Sequence, residues 1–217
     1  MNKTLVLGSQ PETSIADRDS NLIPTGEEAQ RLAQIAEHVG AILDLLHLDR
    51  KDPNLTGTPE RVAKMYMEMF HGLVEGAEPK ITMFPNEENY QAMVVERDIP
   101  FYSMCVHHLV PFYGHAHMAY IPKRRIAGLS KLPRILEFYA KRPQLQERLT
   151  EQVADYLANH LEPLGAMVVI EARHLCVEMR GVKKPGALTV TSAIRGCFED
   201  RKVRAEFLSF LGRTKEW

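Results

Sequence analysis

Cysteine is scarce in this sequence, and no secretion signal is apparent. Three cysteines occur among 217 residues, an odd number that does not suit a framework of disulfides. The first residues, M-N-K-T-L-V-L-G-S, lack a long apolar stretch and a small-residue cleavage site, so they do not resemble a signal peptide. Reduced thiols and a cytoplasmic location are therefore expected.

Long apolar runs and a charge excess are also missing. No stretch approaches the ~20 apolar residues that a membrane-spanning helix needs, and the formal net charge is -1. Chains that bind nucleic acid usually carry a clear basic excess. We therefore expect neither a membrane nor nucleic acid as a partner, and a site for an anion must be a local cluster of cations.

Three common enzyme signatures are incomplete or absent. The segment G-V-K-K-P-G-A has the glycine spacing of a phosphate loop but lacks the Lys-Ser/Thr pair that would hold phosphate and magnesium. The triplet H-L-E at residues 160–162 is not followed by the P-C-x-x-C of zinc deaminases. No H-E-x-x-H occurs either, which argues against a zincin metalloprotease.

Hydrophobic periodicity predicts helices in the first part of the chain. Residues 1–24 are polar and aperiodic, which indicates a mobile tail. Thr25 and Glu28 have the spacing of a capping box, and Thr58-Pro59 is typical of a helix start. The first helix is supported by apolar residues spaced three and four apart, namely Leu32, Ile35, Ala36, Val39, Ile42, Leu43 and Leu46.

The later part of the chain alternates strand and helix patterns in pairs. Strands are predicted around M-V-V and D-I-P-F-Y-S-M, from Leu109 to Ile121, around A-M-V-V-I-E-A-R-H-L-C-V-E-M and around A-L-T-V-T-S-A-I. Helices are predicted at 130–141, at 144–161 and from Asp200. In the second of these, apolar residues repeat every four positions: Leu145, Leu149, Val153, Leu157 and Leu161. This order predicts an α+β fold with antiparallel strands. We expect a helical region at 25–90 that is continuous with a catalytic domain at 91–217.

Cys105, His108 and the distant Cys176 form an incomplete tetrahedral set of metal ligands. The first two lie in S-M-C-V-H-H-L-V-P-F and the third in E-A-R-H-L-C-V-E-M-R-G. A structural zinc site usually has four protein ligands, whereas a catalytic site has three and keeps one position open. A chance C-x-x-H and cysteines that are merely buried remain the alternatives at this point.

With G-L-S-K-L-P-R-I and R-P-Q-L-Q-E-R-L-T added to these segments, the sequence strongly resembles GTP cyclohydrolase I. The resemblance runs from about residue 30 to residue 211 and includes T-P-E-R-V-A-K-M-Y, H-A-H-M-A-Y-I-P and T-V-T-S. It implies the tunnelling fold, in which antiparallel sheets of neighbouring subunits join into a barrel backed by helices. It also implies a homodecamer of two five-fold rings with active sites between subunits.

The implied reaction is hydrolysis of GTP to formate and 7,8-dihydroneopterin triphosphate, the first step towards folate and other pterins. By this resemblance Zn²⁺ on Cys105, His108 and Cys176 activates water for attack on C8 of guanine. His107 and His174 transfer protons, a role that suits imidazole because its ordinary pKa lies near neutrality.

The resemblance also assigns residues that bind GTP. Glu147, with Gln146 beside it, recognises guanine through the ring N1–H and the exocyclic amine. The matched residues for the triphosphate and ribose are cationic or hydroxyl-bearing: Arg61, Ser130, Lys131, Arg134 and Arg180, with Lys183 and Lys184 as weaker candidates. Ser130 lies at a predicted helix start, where the helix N-terminus adds positive potential.

The chain departs from the family at one position beside the metal ligands. The family commonly has C-E-H-H, whereas this chain has Val106 in place of the glutamate. A carboxylate there could orient an imidazole or carry a proton.

Two alternatives to GTP cyclohydrolase activity stay open. One is a divergent tunnelling-fold paralogue that supplies deazapurine biosynthesis, and the other is a non-catalytic, zinc-stabilised ring module.

Overall fold

The structure, a computed structural model, describes residues 26–212. The predicted tail at 1–24 and Thr25 of the predicted capping box lie outside the described residues. The chain divides into two compact units, the first ending at Lys64 and the second beginning at Met65. The predicted catalytic domain at 91–217 stays a prediction.

The helices predicted near the start of the chain are present. Helix α1 spans Gly26–Leu45 and helix α2 spans Thr58–Met69. Pro59 is the second residue of α2, in the first turn, where a backbone N–H has no helical acceptor and its absence costs little. Among residues 26–212, no helix is both long enough and apolar enough to cross a membrane.

A five-stranded sheet dominates the second unit. The strands of the chain are β1 (Met83–Pro85), β2 (Val94–Cys105), β3 (Pro111–Ile121), β4 (Arg125–Ala127), β5 (Pro143–Gln144), β6 (Gly165–His174) and β7 (Leu188–Gly196). The order in the five-stranded sheet is β5-β2-β3-β6-β7, in which the short β5 is parallel to β2 and every other pair is antiparallel. The predicted α+β class is confirmed.

Helices cover both faces of this sheet. Helices α3 (Lys131–Ala140) and α4 (Gln146–Leu161) pack on one face, and α6 (Arg201–Leu211) packs on the other. The repeat of apolar residues every four positions in α4 correctly predicts its packed face, because four of its members are buried: Leu149, Val153, Leu157 and Leu161. Ile170 of β6 and Met118 of β3 belong to the same core.

One strand prediction is wrong at its end. The pattern around A-M-V-V-I-E-A-R-H-L-C-V-E-M predicts a strand that continues past Cys176, but β6 stops at His174 and Leu175–Glu178 form the short helix α5. The reason is that β7 begins at Leu188, which pairs with Arg173. Beyond that pair the chain has no β7 partner, and the backbone is satisfied within a turn, from Met179 N–H to the Leu175 carbonyl at 3.0 Å.

Candidate active site

Three potential metal ligands, Cys105, His108 and Cys176, meet at one end of the sheet and are called the metal group below. Cys105 is the last residue of β2, His108 lies in the turn to β3, and Cys176 lies in α5 directly after β6. Because β2 and β6 are both antiparallel to β3, their final residues lie at the same end of the sheet as the first residues of β3. The three ligand atoms all lie within 4.8 Å of one another.

The turn that carries Cys105 and His108 is fixed by backbone hydrogen bonds. The Leu109 N–H donates to the Cys105 carbonyl at 2.8 Å, and the Cys105 N–H donates to the Val110 carbonyl at 3.0 Å. The Val106 N–H donates to the Gln144 carbonyl at 2.9 Å, so β5 holds the turn from the side. No pattern in the sequence predicts this role of Gln144.

The donor set fits a zinc ion. Two thiols and an imidazole are the soft and borderline ligands that Zn²⁺ prefers, with bonds of about 2.3 Å to sulfur and 2.0–2.1 Å to nitrogen, so tetrahedral ligand atoms lie about 3.5–3.8 Å apart. Cys105 Sγ and His108 Nδ1 lie 3.8 Å apart. Burial, followed by the neighbouring Cys105 thiol, raises the pKa of the Cys176 thiol, which means that a metal ion must displace its proton.

His174, the last residue of β6, stands beside this group. Its ring stacks on Phe112, with 4.7 Å between ring centroids and an interplanar angle of 3°. Burial lowers the pKa of His174, although the carboxylates of Glu147 and Glu178 oppose the shift. Burial therefore favours the neutral form of the ring, and the tautomer of that form depends on its hydrogen bonds.

Gln146 defines that tautomer. Its side chain is 2% exposed, and its Nε2 donates to the Ile170 and Thr189 carbonyls, each at 3.0 Å. Carbonyls only accept hydrogen bonds, so Gln146 Oε1 must be the atom that lies 2.7 Å from His174 Nε2. His174 therefore carries its proton on Nε2, and Nδ1 is the atom at which the neutral ring can accept a proton. The predicted contact of Gln146 with substrate stays a prediction.

Two further residues predicted for the site, Glu147 and His107, are both exposed. Glu147 is exposed in the first turn of α4, and its charge acts on His174. His107 is exposed, and its ring centroid lies 6.1 Å from that of His108. Val106, which replaces the usual glutamate, is 37% exposed. Its apolar side chain offers no carboxylate to the neighbouring His107 and His108.

The predicted phosphate-binding residues lie in the loop between α5 and β7, in the first unit and at the start of α3. Arg180 lies near the metal group, because its charge acts on Cys176. Lys183 and Lys184 are exposed in the loop between α5 and β7. Arg61 belongs to the first unit, where its guanidinium donates to Thr58 Oγ1 at 2.7 Å and to the Thr56 carbonyl at 3.1 Å.

Ser130 and Lys131 lie towards the opposite end of the sheet from the metal group. Ala127, three residues before Ser130, donates its backbone N–H to Tyr120 Oη at 3.0 Å. Tyr120 pairs with Val94, the first residue of β2. At about 3.3 Å per residue, Tyr120 is roughly 30 Å along β3 from the turn that holds His108. Helix α3 then runs back along the sheet, and Arg134 is one turn into it.

Sequence patterns missed two further features of this end. Phe112 forms a flat surface for His174, as described above, and Arg173 forms two hydrogen bonds with Glu178 across the turn that carries Cys176. Alternation in β3 and β6 predicts that Phe112 and Arg173 lie on opposite faces of the sheet. It contains no signal for a partner on a turn beyond the last strand pair.

A family model and similar sequences point to the same family. A family model described as GTP cyclohydrolase I matches residues 35–212. The chain is 53% identical over 180 residues to "GTP cyclohydrolase 1" of Thermoanaerobacter pseudethanolicus, covering 81% of this chain and 95% of that protein. It is 53% identical over 181 residues to the protein of the same name from Geobacillus kaustophilus, covering 82% and 96%. For that of Thermobifida fusca the identity is 49% over 209 residues, covering 93% and 98%.

Proposed function

Because the chain belongs to the GTP cyclohydrolase I family, we propose that it hydrolyses GTP to formate and 7,8-dihydroneopterin triphosphate at a zinc centre on Cys105, His108 and Cys176. The observation that carries this proposal is the convergence of the three ligand atoms within 4.8 Å, beside His174. When bound, Zn²⁺ would supply Lewis-acid activation of water for attack on C8 of the purine.

The residues around the ligands suit the remaining tasks. Glu147 is exposed and offers a carboxylate to the N1–H and amine of guanine, a pairing that an adenine edge cannot reproduce. His174 has Nε2–H bound by Gln146, so it accepts a proton at Nδ1 and returns it from there. His107 is exposed next to a ligand and is the second group for proton transfer.

We also propose that the active site is shared between copies of the chain. The triphosphate needs several cations, and Arg180 lies near the metal group. Ser130, Lys131 and Arg134 begin α3 towards the other end of the sheet. A neighbouring copy that brings its own α3 N-terminus to this metal group would complete the phosphate site.

The sheet has edges suited to such an association. Within the described residues, β7 has one strand neighbour, and β2 pairs with β5 only at Met104 and Cys105. In the order β2-β3-β6-β7 each strand reverses the direction of the last, so β7 of one copy can pair antiparallel with β2 of the next. Repetition of this contact closes a ring. We propose the decamer of two five-membered rings for this chain.

The cysteines fit a reducing compartment. All three are free thiols, and two of them belong to the metal group. Thiolate ligands persist where glutathione and thioredoxin keep them reduced, so we place the enzyme in the cytoplasm.

The function is tested with purified protein and GTP, in the zinc-loaded state and after removal of metal by a chelator. We expect zinc-loaded protein to release formate and a product that becomes fluorescent after oxidation, and the chelated protein to release neither. GTP turnover without a pterin fluorophore would favour the deazapurine alternative. Absence of formate from zinc-loaded protein would overturn the proposed hydrolysis.

The assigned roles are tested with two variants. Cys176→Ser should lose bound zinc, because it removes one of three ligands. His107→Ala should keep zinc near the wild-type content while turnover falls by about 10²- to 10⁴-fold, the range for loss of a general acid or base. Equal zinc loss in both variants would show that His107 is misassigned.

A further inference from the structure

An ion pair spans the turn that carries Cys176. Arg173 is the penultimate residue of β6, and Glu178 is the last residue of α5. The Arg173 Nε donates to Glu178 Oε1 at 2.8 Å, and Nη2 donates to Oε2 at 2.6 Å. Two parallel bonds of this kind fix the relative orientation of the two groups as well as their distance.

The pair is shielded from water on the carboxylate side. The Glu178 side chain is 7% exposed, and that of Arg173 is 27% exposed. A backbone hydrogen bond from Gly186 also reaches the Glu178 carboxylate. The carboxylate thus joins three segments: the end of β6, the helix α5 and the loop that leads to β7.

Helix α5 needs such external contacts. It has four residues, and no side chain caps its N-terminus. A single turn does not compensate the entropy of its own nucleation. Besides its internal bond from Met179 to Leu175, it is joined to the following loop by the Lys184 N–H, which donates to the Val177 carbonyl at 3.2 Å.

Cys176 differs in this respect from the other ligands. Cys105 ends a long strand, and His108 lies in a turn held by both β3 and β5. Cys176 lies beyond the last pair of β6 and β7, so the sheet does not fix its position directly. Without a restraint on α5, binding of the metal would have to order this turn, and that entropy cost would weaken binding.

We propose that Arg173 and Glu178 are positioning residues that hold the Cys176 turn on the end of β6, so that the three-ligand group is formed before Zn²⁺ binds. The inference rests on the proposed zinc site. Neither residue is proposed to bind the metal: both act by fixing the position of Cys176.

The test uses three variants of the full chain. Glu178→Gln keeps the shape of the side chain but removes the charge-assisted pairing, Arg173→Lys keeps the charge but removes the two-pronged geometry, and Arg173→Met removes both. Zinc affinity is measured by competition with a chromophoric chelator. We expect affinity about 10- to 100-fold weaker for Glu178→Gln and Arg173→Met, the usual effect of losing a group that orients a ligand, and a smaller loss for Arg173→Lys.

A second readout reports the geometry of the metal site instead of its affinity. Cobalt(II) is substituted for zinc, and its visible ligand-field bands report tetrahedral coordination with thiolates. We expect weaker or shifted bands in Glu178→Gln at metal saturation. Thermal unfolding of the metal-free variants is recorded in parallel, and Glu178→Gln and Arg173→Lys keep the test valid if Arg173→Met does not fold.

Arg195→Met is the matched control. Arg195 on β7 binds Glu151 and Asp155, and its side chain is 28% exposed, but it pairs with Ala166 at the other end of the sheet. Its zinc affinity and cobalt spectrum should equal those of the wild type. Wild-type affinity and spectra in all three test variants would overturn the inference, as would an equal loss in Arg195→Met. Failure of the wild type to bind zinc would instead overturn the metal site itself.

Discussion

Gln146 and Glu147 are adjacent in the sequence, and the structure gives them opposite surroundings. Gln146 is buried, and its amide nitrogen faces two backbone carbonyls and Thr191 Oγ1. Glu147 is exposed one position later in the same helical turn. An amide is required at the first position because only a donor satisfies those carbonyls. The exposed carboxylate at the second position suits the proposed contact with guanine, whose edge presents donors.

Reciprocal isosteric substitutions test this difference. Gln146→Glu places carboxylate oxygens against the Ile170 and Thr189 carbonyls, so we expect a loss of about 2–3 kcal/mol in unfolding free energy. Glu147→Gln should change unfolding free energy by less than about 0.5 kcal/mol but lower kcat/KM for GTP about 10- to 100-fold. Urea denaturation and steady-state kinetics measure the two effects. Equal stability of both variants would contradict the tautomer assigned to His174.

Glu96 predicts a pH dependence of stability that is separate from catalysis. Burial raises its pKa from 4.5 to about 7. A carboxyl whose pKa is higher in the folded state favours folding while it is protonated, and this contribution is lost as the pH rises from about 4.5 through about 7. Because the side chain is only partly buried, we expect a loss of about 1–2 kcal/mol between pH 5 and pH 8, well below the full linkage value.

The comparison is with Glu96→Gln, which removes the titrating group and keeps its size. Urea denaturation of both proteins at pH 5 and pH 8 should show the variant gaining on the wild type as the pH rises. A constant difference between the two proteins across this range would show that Glu96 titrates normally in the folded chain.

At the scale of elements, the sequence predicts what periodicity can encode. The four-residue repeat of α4 identifies its buried face, and the alternation in β3 identifies a strand, because both patterns arise from burial along one element. The end of β6 and the turn of Cys176 depend on where β7 stops pairing, which is a property of two segments. The same holds for the hydrogen bond of Val106 to Gln144, since β5 has only two residues and no pattern of its own.

Gly114 shows how closely β3 and β6 approach near the active site. A Cβ at this position would lie 1.9 Å from the Glu171 carbonyl oxygen and 2.7 Å from Ala172 Cα. Both are backbone atoms of the paired strand, so they cannot rotate away. The glycine is therefore required by the pairing that also places Phe112 against His174.

We expect Gly114→Ala to lower unfolding free energy by about 2–4 kcal/mol, because the strands must separate to admit the methyl group. Gly128→Ala is the control: its Cβ would meet the Phe84 side chain at 3.5 Å, an ordinary contact. Its stability should change by less than about 1 kcal/mol. Thermal and urea denaturation of the two variants measure the difference, and similar values for both would mean that β3 and β6 accommodate the methyl group.

At the scale of the whole molecule, the residues that we propose to bind one GTP fall into two halves at opposite ends of the sheet. The metal group, His174 and Glu147 gather where β2 and β6 end. Ser130 and Lys131 start α3 towards the other end, near the Tyr120 hydroxyl that receives the Ala127 N–H. Triphosphate and guanine belong to one substrate, so the two halves must come from different copies if both bind the same GTP.

Mixed oligomers test this requirement. Cys176→Ser removes the metal half of the site, and Arg134→Ala removes part of the phosphate half, so each protein alone should have little activity. If the halves come from different copies, then subunits that are dissociated, mixed in equal amounts and reassembled form some sites with both intact halves. Random mixing gives about one quarter of the sites this composition, so activity should recover towards about a quarter of the wild-type value. If each chain instead supplied both halves of its own site, every site would carry one substitution, and mixing would restore nothing.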